Sequence, residues 1–501
     1  MKNFLSIILC VVMQSVYAQT PGTLDSTFGI NGKVETIFGN GLSISNCNLV
    51  QNDGKILAAG VAYNAATDDD FVVVRYNTDG SLDTTFGTTG IVTTDIQQNH
   101  EQAFAMALQT DGKIVLAGQT GGFSTGAYEE LVVIRYESNG TLDNTFGMGG
   151  EVIIPEPGGN LSYYINAIAL QTDGKIVVAG ADGFGIHSYA ALFRFNTNGD
   201  LDTSFSQDGI VTMQIDSPLN VLTSVLIQPD GKIVAAGYTL NDIAVVRYNS
   251  NGTLDSSFAT GGIAVIPNGL ARSVILQPDN KIVVTGRIMG FKMCIIRYNT
   301  DGFLDNTFGI GGISITVFGS ATSDSFQSVL QPDGKILTAA TYHDGSNDRD
   351  YLLACHNSNG FLDSSFGSNG YVTTDFIGYD DEPRSLALQQ DGKIVLSGYY
   401  SNGTNYYFGL ARYIPDLTTN TLNIEISDTP LNIFPNPTHR NINVNVNPGA
   451  SILILNVLGE IVFEKRLSNS KRENIELDVS FLSSGIYFIK SENELRKFVK
   501  E

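Results

Sequence analysis

Residues 109–118 read QTDGKIVLAG, and residues 171–180 read QTDGKIVVAG. The same phrase, centred on Asp-Gly-Lys, places a lysine at Lys55, Lys113, Lys175, Lys232, Lys281, Lys335 and Lys393. In one copy the glycine is replaced by Asn280. Two further phrases recur in step with it. One is DGSLDTTFG, whose leucine falls at Leu24, Leu82, Leu142, Leu201, Leu254, Leu304 and Leu362, so copies lie 50 to 60 residues apart. The other is FVVVRYN, which returns as LVVIRYE, ALFRFN, IAVVRYN, MCIIRYN, LLACHN and GLARY. Three linked phrases at a near-fixed period signify a repeat architecture.

Each unit reads as four short strands: A (GIVTTD), B (AFAMALQT), C (KIVLAG) and D (FVVVRY). Asp111-Gly112 between B and C is a hairpin signal of the type I′ kind, because glycine accepts a positive φ. The NTDG step after strand D repeats that turn chemistry. Strands C and D are almost wholly apolar, as expected for a sheet buried on both faces. A four-stranded unit present seven times predicts an all-β, seven-bladed β-propeller. A β-solenoid is the alternative, but its shorter coils would not each hold two hairpins. The region opens on LDSTFGINGKVETIF, an A strand, and ends on a D strand at Arg412-Tyr413. If blades are cut after A, the first A strand completes the last blade; either cut leaves seven.

The repeats resemble the delta-60 family of propeller-like repeats over about residues 22–413, through DGKIVLAG…FVVVRYNTDGSLDTTFGTTGIVTTD. That resemblance implies an extracellular propeller and brings no catalytic residues. Residues 414–428 read as a linker, and 429–501 as β-hairpins of a small Ig-like β-sandwich, with Leu458-Gly459-Glu460 as one turn. The terminal segment is similar to the type A sorting domain of the type IX secretion system. The marks are Phe434-Pro435-Asn436-Pro437, Asn456-Val457-Leu458-Gly459, Leu482-Ser483-Ser484-Gly485-Ile486-Tyr487 and Lys497-Phe498-Val499-Lys500. The similarity implies export across the outer membrane of a Bacteroidetes-type bacterium, in partnership with that machinery, to the medium or the cell surface. Residues 1–18 fit a signal peptide: Lys2, an apolar FLSIILCVVM, and Val16-Tyr17-Ala18 before the cut. The propeller would then occupy 19–413. No later run is long enough to span a membrane.

The net charge is -22, from 51 acidic against 29 basic residues. Such a surface repels phosphate backbones, so nucleic acid is not an expected partner. Cys47, Cys294 and Cys355 remain after cleavage. Buried free thiols are the expectation; were one disulfide present, Cys294 and Cys355 would be the likelier pair.

Antiparallel strands put the A–B and C–D connections at one edge of every blade and the B–C and D–A turns at the other. The second edge repeats; the first varies, which is the usual layout of a binding face. Its loops hold Tyr63 with Asp68, Asp69 and Asp70; Tyr128 with Glu129 and Glu130; Tyr163 and Tyr164; Tyr342, Asp344, Asp348 and Asp350; Tyr379, Asp380 and Asp381; Tyr399 and Tyr400; and Tyr406 and Tyr407. Tyrosine faces and carboxylates suit a glycan or a protein ligand. No cofactor is expected. Calcium at Asn77, Asp79 and Asp83 is the alternative to turn-shaping by those residues. The repeat arginines Arg75, Arg135, Arg194, Arg247, Arg297 and Arg412 need carboxylate partners such as Asp83 or Asp143. One copy departs from the pattern, with Cys355 and His356 in place of Arg and Tyr. The histidines are scattered and no catalytic motif is present. The reading is an exported, non-catalytic interaction module. A polysaccharide-degrading enzyme using paired loop carboxylates, or a purely structural surface protein, are the alternatives.

Overall fold

The structure is a computed structural model. It describes residues 20–38, 41–64, 68–96, 99–121, 129–155, 162–184, 187–288, 290–319, 322–343, 345, 348–415, 433–446, 451–456, 461–466, 473–491 and 494–501. The 1–18 leader and most of the 414–428 linker lie outside these residues, as do Tyr128, Asp344 and the Leu458-Gly459-Glu460 turn. The chain forms two compact units, 1–416 and 417–501.

The first unit is a seven-bladed β-propeller. Seven four-stranded antiparallel sheets follow one another, each ordered B–C–D–A. Blade one is Ser43–Val50, Ile56–Asn64, Asp68–Tyr76 and Ile91–Thr94. Blade seven is Asp381–Leu388, Ile394–Ser401 and Tyr406–Tyr413, and its A strand is the N-terminal Lys33–Thr36, with Lys33 opposite Ala411 and Thr36 opposite Phe408. The cut therefore comes after A. The B strands touch their neighbours round the whole ring, blade seven against blade one included. Each A strand is only four residues long, which keeps the outer sheet edge short. In the D strand of blade one every residue from Asp69 to Tyr76 is buried.

The B–C turn is not the two-residue type I′ turn expected from Asp-Gly. Gly54 N–H bonds Gln51 O and Gln51 N–H bonds Lys55 O, enclosing three residues of which only Gly54 has a positive φ, +85°. This is a type I turn closed by a left-handed residue. The physical reason is the aspartate: Asp53 Oδ1 accepts the Lys55 N–H at 3.1 Å and shapes the turn as an Asx turn. Asn280 takes the left-handed place in blade five at φ 63°.

The repeat polar residues form one cluster per blade. The arginine Nε donates to the aspartate eight residues on, or to Asp25 from Arg412, at 2.6–2.9 Å. Its guanidinium lies 4.4–4.5 Å over the phenylalanine of the same turn. It also donates to a carbonyl in the next blade, from Arg75 to Ser138 O and from Arg412 round to Thr78 O. The lysine of the B–C turn reaches the same aspartate at 2.7–3.2 Å. Burial alone would raise the Asp83 carboxyl, but hydrogen bonds from Lys55 and Thr85 and the Arg75 charge outweigh it and hold the acid well below the usual carboxylate range. Backbone bonds add to the latch, from Gly29 N–H to Asp79 O and Gly367 N–H to Pro21 O. Asp83 is thus committed to the fold, with Asp79 capping Ser81.

A second contact links blades through their outer strands. Tyr76 OH meets Thr36 Oγ1 at 2.7 Å, Tyr136 meets Thr94 at 2.7 Å, and Tyr413 meets Thr374 at 2.8 Å. Where strand A ends in Ile154, the partner is Phe195, an apolar pair. Where it ends in Met213 or Ile266, the hydroxyls of Tyr248 and Tyr298 are buried with no hydrogen-bond partner among the described residues.

Among the described residues Cys47, Cys294 and Cys355 are buried and form no disulfide. Cys294 and Cys355, the pair favoured from sequence, sit in D strands of blades five and six and do not bond. Burial pushes the Cys47 and Cys294 thiols up to about 12. The second unit packs a three-stranded sheet (Ile433–Phe434, Asn441–Val446, Glu473–Asp478) and a four-stranded sheet (Ile461–Arg466, Ser451–Leu455, Gly485–Ser491, Glu494–Lys500) around one core. Ile442, Val444 and Leu477 enter it from one sheet, and Ile452, Ile454, Ile489 and Phe498 from the other. Asn436 ties the first segment to the last strand through Lys497 O and Val499 N–H.

Two expectations follow. Asp143→Ala leaves Arg135 and Lys113 without their shared carboxylate and costs about 3–5 kcal/mol, whereas Arg135→Ala leaves the Lys113–Asp143 pair and costs less; urea unfolding of both variants checks the order. Tyr76→Phe orphans the buried Thr36 hydroxyl and costs about 1–3 kcal/mol, while Tyr298→Phe removes an unsatisfied hydroxyl and leaves the melting temperature unchanged or higher.

Candidate functional site

The two faces differ chemically. On the B–C and D–A face the repeat side chains are consumed by the latch. The A–B and C–D face carries residues that the repeat does not dictate, so this is where the candidate tyrosines and carboxylates were sought.

The structure divides them. Tyr163 is interior, 2% exposed, with its ring 5.0 Å from Phe193 edge-on. Tyr400 and Tyr407 are also interior, and Tyr400 stacks on Phe376 at 5.4 Å. Tyr399 is largely buried and meets Tyr406 edge-on at 5.0 Å. Tyr164 is half-buried, and Tyr342 is half-buried against Tyr371. Tyr63, Tyr379 and Tyr406 stay in solvent, at 42, 50 and 37%. Tyr63 lies against Gly41, where a Cβ would come within 2.5 Å of its ring. Tyr379 lies against Gly403 in the same way, at 2.7 Å. Tyr379 and Tyr406 therefore flank the blade-seven C–D connection. Beside them Arg384 bonds Glu382 at 2.5 Å and leans over the Tyr399 ring at 5.7 Å, and Arg349 reaches Glu382 at 3.3 Å. Leu240 and Phe291 project from the same face between blades four and five, with Arg287 4.3 Å over the Phe291 ring.

Three of the candidate carboxylates, Asp70, Asp350 and Asp381, gather with acids that the sequence reading does not name. Asp70, Asp95 and Glu101 have oxygens within 4.8 Å of one another, as do Asp350, Asp375 and Asp381. Asp68 has a positive φ of 79°, Asp69 accepts from His100 Nδ1 at 2.7 Å, and Asp348 is half-buried. Burial pushes the Glu101 and Asp381 carboxyls up to about 8, against hydrogen bonds from Ile96 and Phe376 backbone. Asp95, Glu101 and Asp375 were missed. The signal was present as an acid directly after strand A and another six residues on, at 95 and 101 and at 375 and 381.

The axis holds a polar channel of about 270 Å³ lined by all seven B strands. A β-bulge in each B strand turns a residue inward, among them Asn46, Asn166, Thr223, Arg272 and Arg384. Several of these bridge to the next blade: Asn46 to Ala103 O at 2.8 Å, Asn166 to Leu222 O at 2.9 Å, and Arg272 to Asp324 at 3.1 Å.

A family model described as the domain of unknown function (DUF5122) β-propeller matches residues 51–86, 109–146, 171–205, 228–258, 277–308, 331–366 and 389–421. A second, the secretion system C-terminal sorting domain, matches 432–501. The chain is a DUF5122 propeller with a sorting domain. The sorting domain places this DUF5122 propeller under the type IX secretion machinery, hence outside the cell or on its outer surface. No helix among the described residues is long and apolar enough to cross a membrane. No curated protein matches it in sequence. Among solved structures, a protein of unknown function from Dyadobacter fermentans aligns over 76% of this chain and 97% of its own, at 12% identity and a TM-score of 0.42. PorZ of Porphyromonas gingivalis, a surface component of the type-IX secretion system, aligns over 93% and 82% at 10% identity, TM-score 0.29. The polysaccharide lyase Uly1 aligns over 80% and 94% at 12% identity, TM-score 0.40.

The departing copy of this DUF5122 propeller is blade six. There Lys335 keeps its bond to Asp363 at 2.7 Å without an arginine. His356 takes the tyrosine's place: its Nε2 meets Thr316 Oγ1 at 2.8 Å. The ring is fully buried, and burial pushes the imidazole down to about 4. Its ordinary value in an unfolded chain is about 6.5. The fold therefore loses stability as pH falls from the unfolded value through the folded one, because only the unfolded chain takes the proton readily. His356→Tyr should lose less melting temperature than wild type between about pH 6.5 and 4.5. Parallel curves for the two proteins would show that His356 does not carry this term.

Proposed function

We propose that the exported propeller is a non-catalytic recognition module that binds a glycan or a protein ligand on its A–B and C–D face. The observation that carries this reading is the patch at blades six and seven. Tyr379 and Tyr406 keep their rings in solvent beside the Arg349, Glu382 and Arg384 ion pairs. A flat ring offers dispersion and CH contacts to a sugar face, and the charged pairs offer directed hydrogen bonds to hydroxyls. The latch on the opposite face supports the division of labour, since rigid scaffolding behind variable loops suits binding.

The 1–18 leader would deliver the chain to the periplasm and the 429–501 domain would direct its passage outward, with 414–428 joining it to a 19–413 propeller. The polysaccharide-degrading alternative needs two carboxylates in a cleft, one acting as an acid. The inter-blade acids Glu101 and Asp381 are wholly buried, and a general acid must reach its substrate, which favours recognition over bond cleavage.

The test is a glycan-array and polysaccharide screen, with a surface-protein pull-down alongside, on the mature chain. Tyr379→Ala with Tyr406→Ala should weaken the captured ligand at least about ten-fold, the scale of an interface anchor. Met148→Ala, exposed on the opposite face, should leave it unchanged. Equal binding by all three proteins would overturn the assignment of the face.

A further inference from the structure

The two acid triads occupy the same three positions in the repeat. Asp70 and Asp350 stand five residues before the arginine position of strand D, held by Arg75 and Cys355 respectively. Asp95 and Asp375 directly follow strand A of the same blade. Glu101 and Asp381 begin strand B of the next blade. One triad joins blades one and two, the other blades six and seven. At the remaining junctions these positions hold no more than one carboxylate; between blades three and four they are Tyr189, Gln214 and Asn220.

Asn220 shows what the fold itself asks of the B-strand position. Its Oδ1 accepts the N–H of Ile215, five residues back, at 3.0 Å. Asp381 Oδ2 accepts the equivalent N–H of Phe376 at 2.6 Å. A neutral amide is enough for that bond, so it does not account for the carboxyl groups of Glu101 and Asp381. Both side chains are completely buried, and Glu101 Oε2 and Asp381 Oδ1 have no hydrogen-bond partner among the described residues. A buried carboxylate oxygen without a donor is costly, and two further carboxylates beside it add repulsion. A cation removes both costs.

We propose that each triad is a calcium site, one clamping blade one to blade two and the other blade six to blade seven. The donors are all hard carboxylate oxygens, as calcium and magnesium prefer. Oxygens within 4.8 Å of one another are close enough to share one ion at calcium's oxygen distance of about 2.3–2.6 Å. Each ion would tie three strands that no covalent turn joins in one place: the D and A strands of one blade and the B strand of the next. In the second site it would also fix the start of the connection that carries Tyr379.

The experiment uses the mature full chain, stripped with EGTA and titrated with calcium chloride by calorimetry, with melting curves in parallel. Two ions should bind per chain, with dissociation constants of about 0.1–1 mM as in extracellular modules. Calcium should raise the melting temperature, and magnesium at equal ionic strength should not. Glu101→Gln and Asp381→Asn keep the backbone hydrogen bond, as Asn220 does, so both should fold. Each single variant should bind one ion, and the double variant none while melting as in EGTA whatever the calcium concentration. A wild type without calcium-dependent heat or melting shift overturns the proposal. So does a double variant that still binds two ions, which would place calcium elsewhere in the chain. Ligand capture is not part of this readout, so the outcome is independent of the recognition role.

Discussion

In each blade a buried aspartate of the D–A turn receives a lysine from the B–C turn, and in six blades also an arginine from strand D. An arginine in an apolar strand is tolerable only when its charge is met and its remaining donors are used. Here the aspartate meets the charge, a phenylalanine ring covers the guanidinium plane, and a carbonyl of the next blade takes a further N–H. The same group thus shapes a turn, staples two turns of one blade and grips the neighbour. Repeated round the ring, it turns seven weakly connected sheets into one closed body. The last link, from Arg412 to Thr78 and Asp25, depends on the N-terminal strand sitting in blade seven.

That arrangement sets what the rest of the molecule can do. On one face the repeat side chains are engaged in internal ion pairs. The other is joined only by connections of free length and composition. Exposed aromatic rings backed by glycine, at Tyr63 on Gly41 and Tyr379 on Gly403, belong to this second face. So do the acid triads, which lie where an A strand hands over to the next blade. The inner B strands, bent by bulges, add a polar axis whose side chains bridge blade to blade.

The Tyr–Thr contacts show how far local rules reach. Tyr76, Tyr136 and Tyr413 find a threonine, while Phe195 meets an isoleucine and needs no hydroxyl. Tyr248 and Tyr298 keep a hydroxyl that their neighbours cannot satisfy. His356 belongs to this series as a buried acceptor or donor to Thr316, which explains the departure in blade six without a metal or a catalytic role.

The number of blades, the B, C and D strands, the positions of the glycine turns though not their type, and the sorting domain were legible in the sequence. Each rests on residues close together along the chain, and repetition multiplied the signal. The pairing of Arg75 with Asp83 was legible for the same reason, being eight residues apart. The tertiary structure alone decided which tyrosines face a ligand. Tyr407 stands beside the exposed Tyr406 in sequence, but strand register turns it into the core, where a shift of one residue would reverse the side, and Tyr163, Tyr399 and Tyr400 are buried as well. It alone decided that the first A strand closes the ring, since both cuts satisfy the same pattern. It alone assembled the acid triads, because their members come from three strands of two blades and meet only when those neighbouring blades pack side by side.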